Sequence, residues 1–170
     1  VIDHEEAQLL MDCGVRYLGF PLRLPVHRED LGEAEAAEII RSLPPTCQGI
    51  AITYQQDAGD IAAFMEYLGA GMVQLHGDVP AGQLARLKEL RPDLQVIKSL
   101  VVGKHEPAVL AGLVHELGPL VDAFITDTYD PATGASGATG RTHDWRVSRA
   151  LVALSPRSVI LAGGLTADNV

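Results

Sequence analysis

The chain has 170 residues, 47% of them hydrophobic, which is enough for one domain with a substantial core and short for two. Thirteen lysines and arginines stand against 22 aspartates and glutamates, giving a net charge of -9. That charge argues against a nucleic-acid backbone or an anionic membrane as the main partner. A small phosphorylated ligand remains compatible, because backbone N–H groups at a helix start bind phosphate without overall positive charge.

Hydrophobic periodicity predicts alternating helices and strands along one domain that spans residues 1–170. The predicted helices cover residues 5–13, 32–43, 58–68, 81–90 and 106–117, and a short one starts near residue 145. The six predicted strands cover residues 15–20, 48–53, 72–75, 95–99, 121–126 and 158–162. Regular alternation of this kind predicts an α/β fold with a parallel sheet.

Arg28 lies in the loop after the first predicted strand, beyond Pro21 and Pro25, which stiffen the chain. A guanidinium there could bind a carboxylate through two parallel hydrogen bonds. Because Glu29 and Asp30 follow directly, a solvated ion pair is the alternative.

Gln74 and His76 share one face of the third predicted strand, since side chains alternate and Val73 and Leu75 point the other way. Polar groups on a strand that ends at a glycine are typical of the catalytic end of a (β/α) barrel. A hydrogen-bonded core pair is the alternative. Lys98 ends the next strand, where it either faces the mouth of such a barrel or extends to solvent.

The longest predicted loop covers residues 127–144 and carries three glycines among serines and threonines. Long loops in compact domains are usually functional. Asp127 follows an apolar strand at its predicted catalytic end, where a partly shielded carboxyl suits a general acid. The alternative is that Asp127 caps the loop through backbone N–H groups. We expect Asp144 to be the N-cap of the helix that starts near residue 145.

Gly163 and Gly164 lie between a predicted buried strand and a predicted helix start. A turn without side chains lets a phosphate approach backbone donors and the positive end of the helix dipole. A tight turn without a ligand would also use glycines. In barrels, however, the loop after the seventh strand is a frequent phosphate site.

Other features of the sequence argue against metals, disulfides and membranes. Cys13 and Cys47 lack the spacing of a zinc site or disulfide framework, and the six histidines show no H-E-x-x-H pattern. We therefore predict no metal and a reducing, cytoplasmic location. No apolar run approaches the roughly 20 residues of a membrane span.

Four ordered segments resemble the phosphoribosylanthranilate isomerase family of tryptophan biosynthesis, along nearly the whole chain. Arg28 after Gly19-Phe20 matches the Arg of the family's Ser-Pro-Arg segment, and residues 73–77 look like its fourth strand. Asp127 with residues 137–145 resembles the family's Asp and Gly-Gly-Thr-Gly-Lys-Thr-Phe-Asp-Trp. Residues 161–170 are similar to Leu-Ala-Gly-Gly-Leu-x-x-x-Asn-Val.

The resemblance implies a TIM-type (β/α)8 barrel and a cofactor-free Amadori rearrangement of N-(5-phosphoribosyl)anthranilate. The ribose ring opens, a proton leaves C2, and the aminoaldose becomes an aminoketose. A phosphorylated small molecule would be the partner of a monomer or homodimer. The resemblance implies that Asp127 is the general acid and that Arg28 binds the carboxylate of the substrate. It also implies that Gln74 and His76 line the pocket, and that Gly163 and Gly164 form the turn that binds the phosphate.

The sequence departs from the family in several places. The family's general base is a Cys in a Lys-x-Cys-Gly motif on the first strand; this sequence begins just after that point, and Cys13 does not replace it. The first and last strands of the barrel are absent, which we interpret as an incomplete barrel rather than a shortened relative. Ala138 replaces a Gly and His143 replaces a Phe in the long loop.

Two other classes of function stay open at this point. One is a catalytically silent barrel that binds a phosphorylated ligand or a partner chain. The other is a different phosphosugar isomerase or epimerase. An epimerase would need metal-ligating histidines and paired aspartates at strand ends, and only His76 and Asp127 are candidates for such ligands.

Overall fold

The computed structural model describes residues 1–25, 29–132, 134–137 and 139–170. The helices are α1 (His4–Asp12), α2 (Glu33–Ser42), α3 (Ala58–Leu68), α4 (Ala81–Leu90), α5 (Pro107–Leu117) and α6 (Trp145–Leu154), with a 3-10 turn at Gly118–Leu120. The strands are β1 (Tyr17–Pro21), β2 (Gln48–Thr53), β3 (Met72–Leu75), β4 (Gln95–Val102), β5 (Ala123–Asp130), β6 (Ala135–Ser136) and β7 (Ser158–Ile160). The predicted alternation is confirmed.

The chain forms two compact units, Val1–Val96 and Ile97–Val170, and the boundary between them falls within β4. Six of the seven strands in the described residues take part in parallel pairs, and helices separate them along the chain. The protein is therefore of the α/β class. The assignment of residues 1–170 to a single domain stays a prediction.

In the first unit, β1, β2 and β3 pair in parallel, with Leu18 opposite Gly49 and Ala51 opposite Val73. Alternation along β1 buries Leu18 and Phe20, which are each 1% exposed. The apolar faces of α2, α3 and α4 supply the rest of this core. Its largest buried side chains include Phe20, Ile39, Ile61, Phe64, Met65, Leu68, Leu75, Leu84 and Leu87.

Helix α3 begins and ends at residues that suit those positions. The carboxylate of Asp57 accepts hydrogen bonds from the backbone N–H groups of Gly59 and Asp60, at 2.8 and 3.1 Å. These bonds satisfy two of the donors that a helix start leaves free. At the other end, Gly69 adopts the left-handed conformation, with φ of 72°, which glycine takes without steric cost.

In the second unit, β5 lies between β4 and β7, and both pairings are parallel. Helix α5 starts with Pro107, whose fixed φ suits a first helical position. Helix α6 starts after Asp144, whose carboxylate accepts the N–H of Arg146, so the predicted N-cap is confirmed. Fully or nearly fully buried side chains form the core, among them Leu100, Leu110, Val114, Leu117, Val121, Phe124 and Leu151.

The predicted loop of residues 127–144 is shorter than expected, because β5 continues to Asp130. The chain then turns back and pairs β6 with β5 in antiparallel fashion. Gly134 donates to Asp130 O at 2.8 Å, and Gly137 donates to Thr128 O at 3.0 Å. Both glycines have positive φ, 73° and 83°, which allows the reversal. The sequence predicts Asp127 at the end of a strand, whereas the structure places it inside β5.

The segment around Gly163 and Gly164 also differs from expectation. Strand β7 was predicted to be buried, yet Ile160 is 43% exposed. No helix follows the glycines within the described residues; residues 167–169 form a turn. The side chain of Asn169 closes this turn by accepting the N–H of Thr166 and donating to Gly164 O.

Among the described residues, no helix is both long enough and apolar enough to cross a membrane.

Candidate active site

Gln74 and His76 lie at the end of β3 in the first unit, where they are 9% and 7% exposed. The backbone N–H of His76 donates to Thr53 O at 2.9 Å, and its ring lies 4.7 Å from the ring of Tyr54, centroid to centroid. A Cβ on Gly77 would lie 2.8 Å from Tyr54 O, so a glycine is needed where the strand ends. The structure thus brings two polar side chains together in a buried position.

Arg28, the predicted carboxylate ligand, lies outside the described residues. Another arginine of the same loop, Arg23, forms an ion pair with Glu33 at 2.8 Å, and its guanidinium lies 3.7 Å from the centre of the Phe64 ring. The hydrogen bond to Glu33 raises the pKa of Arg23 above its usual range. These contacts give Arg23 a structural role on the surface of the first unit.

Lys98 is 5% exposed, and its Nζ donates to Ser99 O at 2.9 Å. It therefore does not extend to solvent, which was one of the two possibilities for this lysine.

Asp127 is half-buried in the interior of β5, in the second unit. Its neighbours Thr126 and Thr128 point to the opposite, buried face of the strand, where they are 0% and 4% exposed. Asp127 Oδ1 accepts the backbone N–H of Thr128 at 2.9 Å. The carboxylate thus has a backbone partner within its own strand and keeps part of its surface accessible.

Gly163 and Gly164 both have positive φ, 103° and 61°. A Cβ on Gly163 would collide with Thr128 Oγ1 and lie 3.2 Å from His143 Nδ1. One on Gly164 would lie 2.5 Å from Arg141 C and from Thr142 N. Two glycines are required here because the turn lies directly against β5 and the segment before α6. We refer to residues 162–164 as the glycine turn.

His143 connects several parts of the second unit. Its Nδ1 lies 2.9 Å from Thr128 Oγ1, and its Nε2 lies 2.6 Å from Ser148 Oγ on α6. Burial lowers the pKa of His143, and the negative charges of Asp127 and Asp144 partly oppose this effect. The sequence alone indicates only that His143 replaces the Phe of the family's motif. Its two hydroxyl partners are 15 and 5 residues away, too scattered to form a recognisable motif.

Charged groups on either side of His143 form ion pairs close to the loop. Arg141 Nη1 lies 3.4 Å from Asp130 Oδ1, and Arg146 Nη2 lies 2.7 Å from Asp144 Oδ2. The hydrogen bonds from Arg146 lower the pKa of Asp144 to about 2. A cavity of about 400 Å³ opens beside these residues, between the loop after β4 and the start of α6. Its lining includes Lys104, His105, Glu106, Thr128, His143 and Asp144.

The described part of the chain contains no group of three or more His, Cys, Asp and Glu side chains placed to hold a metal ion. Both cysteines are free; Cys13 is exposed and Cys47 is half-buried.

The parallel strands and the helices between them define a protein of the α/β class. A glycine turn packed against a strand is a common place to bind a phosphate. The family model of N-(5'-phosphoribosyl)anthranilate isomerase matches residues 3–170, so the chain belongs to this family.

Relatives with this activity in their names cover almost the whole chain. N-(5'-phosphoribosyl)anthranilate isomerase 2 of Methanosarcina mazei is 34% identical over 98% of this chain and 73% of its own length. The crystal structure of phosphoribosyl anthranilate isomerase from Thermus thermophilus is 25% identical, with a TM-score of 0.76 over 97% of this chain and 74% of its own.

A further solved structure supports the fold alone, because it is only 20% identical. It has a TM-score of 0.77 and covers 99% of this chain and 75% of its own. That protein is described as phosphoribosyl anthranilate isomerase in complex with reduced 1-(o-carboxyphenylamino)-1-deoxyribulose 5-phosphate.

Proposed function

We propose that this protein catalyses the Amadori rearrangement of N-(5-phosphoribosyl)anthranilate in tryptophan biosynthesis, with Asp127 as the general acid. Membership of the isomerase family supports the reaction. The observation that carries the residue assignment is the half-buried Asp127 on β5, the strand that pairs with β7, which leads into the glycine turn. A carboxyl in this position can deliver a proton to a substrate whose phosphate is held at the turn.

The chemistry requires one proton to be delivered and another to be moved. Protonation of the ring oxygen by Asp127 breaks its bond to C1 and leaves an iminium ion. A base then removes the proton from C2, which gives a neutral enolamine. The enolamine takes up a proton at C1 while its C2 hydroxyl loses one, so the product is an aminoketose with a carbonyl at C2. No residue of this chain matches the Cys that serves as base in the family, so we assign only the acid.

The other substrate contacts follow from the family resemblance. We assign the anthranilate carboxylate to Arg28, because a guanidinium binds a carboxylate through two parallel bonds. We assign binding of the substrate phosphate to Gly163 and Gly164, because the lack of side chains leaves backbone N–H groups accessible there. Gln74 and His76 are assigned to the lining of the substrate pocket. We propose no cofactor, because each step is a proton transfer.

At the level of the fold, we propose that the six parallel strands are part of an eight-stranded TIM-type barrel. The relatives named above support this, since their structures align with high TM-scores along almost the whole chain. We also propose a cytoplasmic enzyme that acts as a monomer or homodimer.

Substitution of Asp127 by Asn tests the assignment in the full-length protein. The change keeps the shape of the side chain and removes its acidic proton, so kcat should fall by about 10² to 10⁴. The matched control is Asp122→Asn, the same change at an exposed residue just before β5. It should leave turnover of N-(5-phosphoribosyl)anthranilate unchanged.

Two results would contradict the proposal. If Asp127→Asn retained full turnover, Asp127 would not be the acid. If the unchanged protein bound the phosphorylated substrate without converting it, the catalytically silent barrel would replace the isomerase.

A further inference from the structure

We infer that His143 is a positioning residue that holds Thr128 against Gly163 and thereby fixes the glycine turn as a phosphate site beside Asp127. This inference rests on the proposed function, because it assumes that the glycine turn binds the substrate phosphate. His143 replaces the Phe of the family's motif, and the proposed function assigns no role to it.

Both ring nitrogens of His143 have hydroxyl partners, at 2.9 Å from Thr128 Oγ1 and 2.6 Å from Ser148 Oγ. The two hydroxyl residues are 4% and 5% exposed, so water has little access to them. A neutral imidazole has one donor and one acceptor, and each hydroxyl can act as either. The ring therefore bridges β5 to α6 with both of its polar atoms satisfied.

The Thr128 hydroxyl lies directly against the glycine turn. A Cβ on Gly163 would collide with Thr128 Oγ1 and would also lie 3.2 Å from His143 Nδ1. The rotamer of Thr128 therefore determines the space available to the turn. Because the hydrogen bond to His143 selects one rotamer, His143 controls the position of Gly163 without touching the phosphate itself.

A second threonine of β5 anchors the other side of the turn. Thr126 Oγ1 accepts the N–H of Ala162 at 3.2 Å, and it lies 3.4 Å from Ile160 O. The strand that carries Asp127 thus holds the turn through Thr126 and Thr128. Only Thr128 depends on a further side chain in this way, so His143 is the position at which the turn can be loosened while the strand stays intact.

The charges around His143 favour this bridging role. Asp127 and Asp144 act on the ring electrostatically, and Lys104, His105 and Glu106 line the cavity beside it. Burial lowers the pKa of His143, which keeps the ring neutral near pH 7. A neutral ring can donate through one nitrogen and accept through the other, as the bridge between Thr128 and Ser148 requires.

The test compares His143→Phe with the unchanged full-length protein. Phe fills the space of the ring but lacks both hydrogen bonds, so Thr128 can leave its position against Gly163. We expect KM and the inhibition constant of inorganic phosphate to rise roughly 3- to 10-fold, as the loss of one or two modest hydrogen bonds allows. The value of kcat should change less than KM, because the loosened turn weakens phosphate binding throughout the reaction.

Three further variants make the test specific. His115→Phe is the matched control, the same change at an exposed residue of α5, and it should leave both constants unchanged. His143→Asn keeps a polar atom near the position of Nδ1 and should restore most of the phosphate affinity. Thr128→Val removes the hydroxyl at nearly constant volume and should raise the inhibition constant as His143→Phe does, which provides an independent test if that variant does not fold.

Failure of the inference can be distinguished from failure of the proposed function. If phosphate inhibits the unchanged protein, but His143→Phe or Thr128→Val only lowers Tm and keeps the same inhibition constant, His143 has a purely structural role and the inference is wrong. If the unchanged protein turns over its substrate and phosphate does not inhibit it, the glycine turn is not the phosphate site. In that case the inference and the phosphate assignment fail together.

Discussion

His143 illustrates how the surroundings of one side chain decide its chemistry. Burial disfavours its charged form, and the carboxylates of Asp127 and Asp144 favour that form less strongly, so the pKa is lowered. Asp144 itself is exposed, and its pKa falls to about 2 because Arg146 donates several hydrogen bonds to it. Two adjacent residues thus have their pKa values shifted by different causes.

The pKa of His143 predicts a pH dependence of stability. In the unfolded chain the imidazole takes up a proton near its ordinary pKa of 6.5, whereas the folded protein resists protonation. The unfolded state then binds more protons, so the free energy of unfolding should decrease as the pH falls through 6.5. Denaturant unfolding between pH 7.5 and 5.5, compared with His143→Asn, measures this contribution. An equally steep decrease in the variant would assign the effect to other groups.

Residue roles that depend on local sequence could be predicted, and those that depend on distant partners could not. Asp144 precedes the first turn of α6, and a cap bond spans only two residues, so the sequence alone predicted it correctly. The position of Thr128 against Gly163 joins residues far apart in the chain and depends on how the loop folds back. For the same reason, the sequence contained no signal for the bridge through His143.

The helices and strands follow the sequence most closely where hydrophobic periodicity is undisturbed. Strands β2 and β3 and helices α3 and α4 have the predicted bounds. The larger errors occur at β4, β5, β6 and β7, and β4 runs to Val102, three residues beyond its predicted end. Strand β5 is extended because β6 pairs back onto it, and two residues of β6 are too few to produce a periodic pattern. Strand β7 is more exposed than its apolar sequence suggested.

The N-cap of α3 provides a test of stability at the level of one element. Asp57→Ala removes the acceptor of two backbone N–H groups, so the free energy of unfolding should fall by about 1 kcal/mol. Asp57→Asn keeps one side-chain oxygen as an acceptor and should cost less. Chemical denaturation of both variants measures the difference. An equal loss in the two would mean that the charge of Asp57, and not its cap bonds, stabilises the helix.

For the molecule as a whole, family membership and the α/β fold agree with each other. The net charge of -9 fits a protein that binds an anion through local geometry, and the glycine turn is the proposed place for it. Composition and motif order predicted the class of protein because both are properties of the whole sequence. The roles of Arg28, Gln74, His76, Asp127 and the two glycines stay predictions until the variants are measured.

A metal-independent mechanism predicts that chelation has no effect. Each proposed step is a proton transfer, and the described residues contain no cluster of metal-ligating side chains. Turnover should therefore be the same before and after dialysis against EDTA. Loss of activity that is restored by a divalent cation would favour the alternative of a metal-dependent epimerase.

The proposed isomerisation is tested by letting the full-length protein convert N-(5-phosphoribosyl)anthranilate in D2O and analysing the product by NMR. We expect an aminoketose with a carbonyl at C2 and a deuteron from solvent at C1, because the proton removed from C2 is replaced at the neighbouring carbon. A product that keeps the aldose skeleton, or a substrate that is bound and recovered unchanged, would contradict the proposed isomerisation.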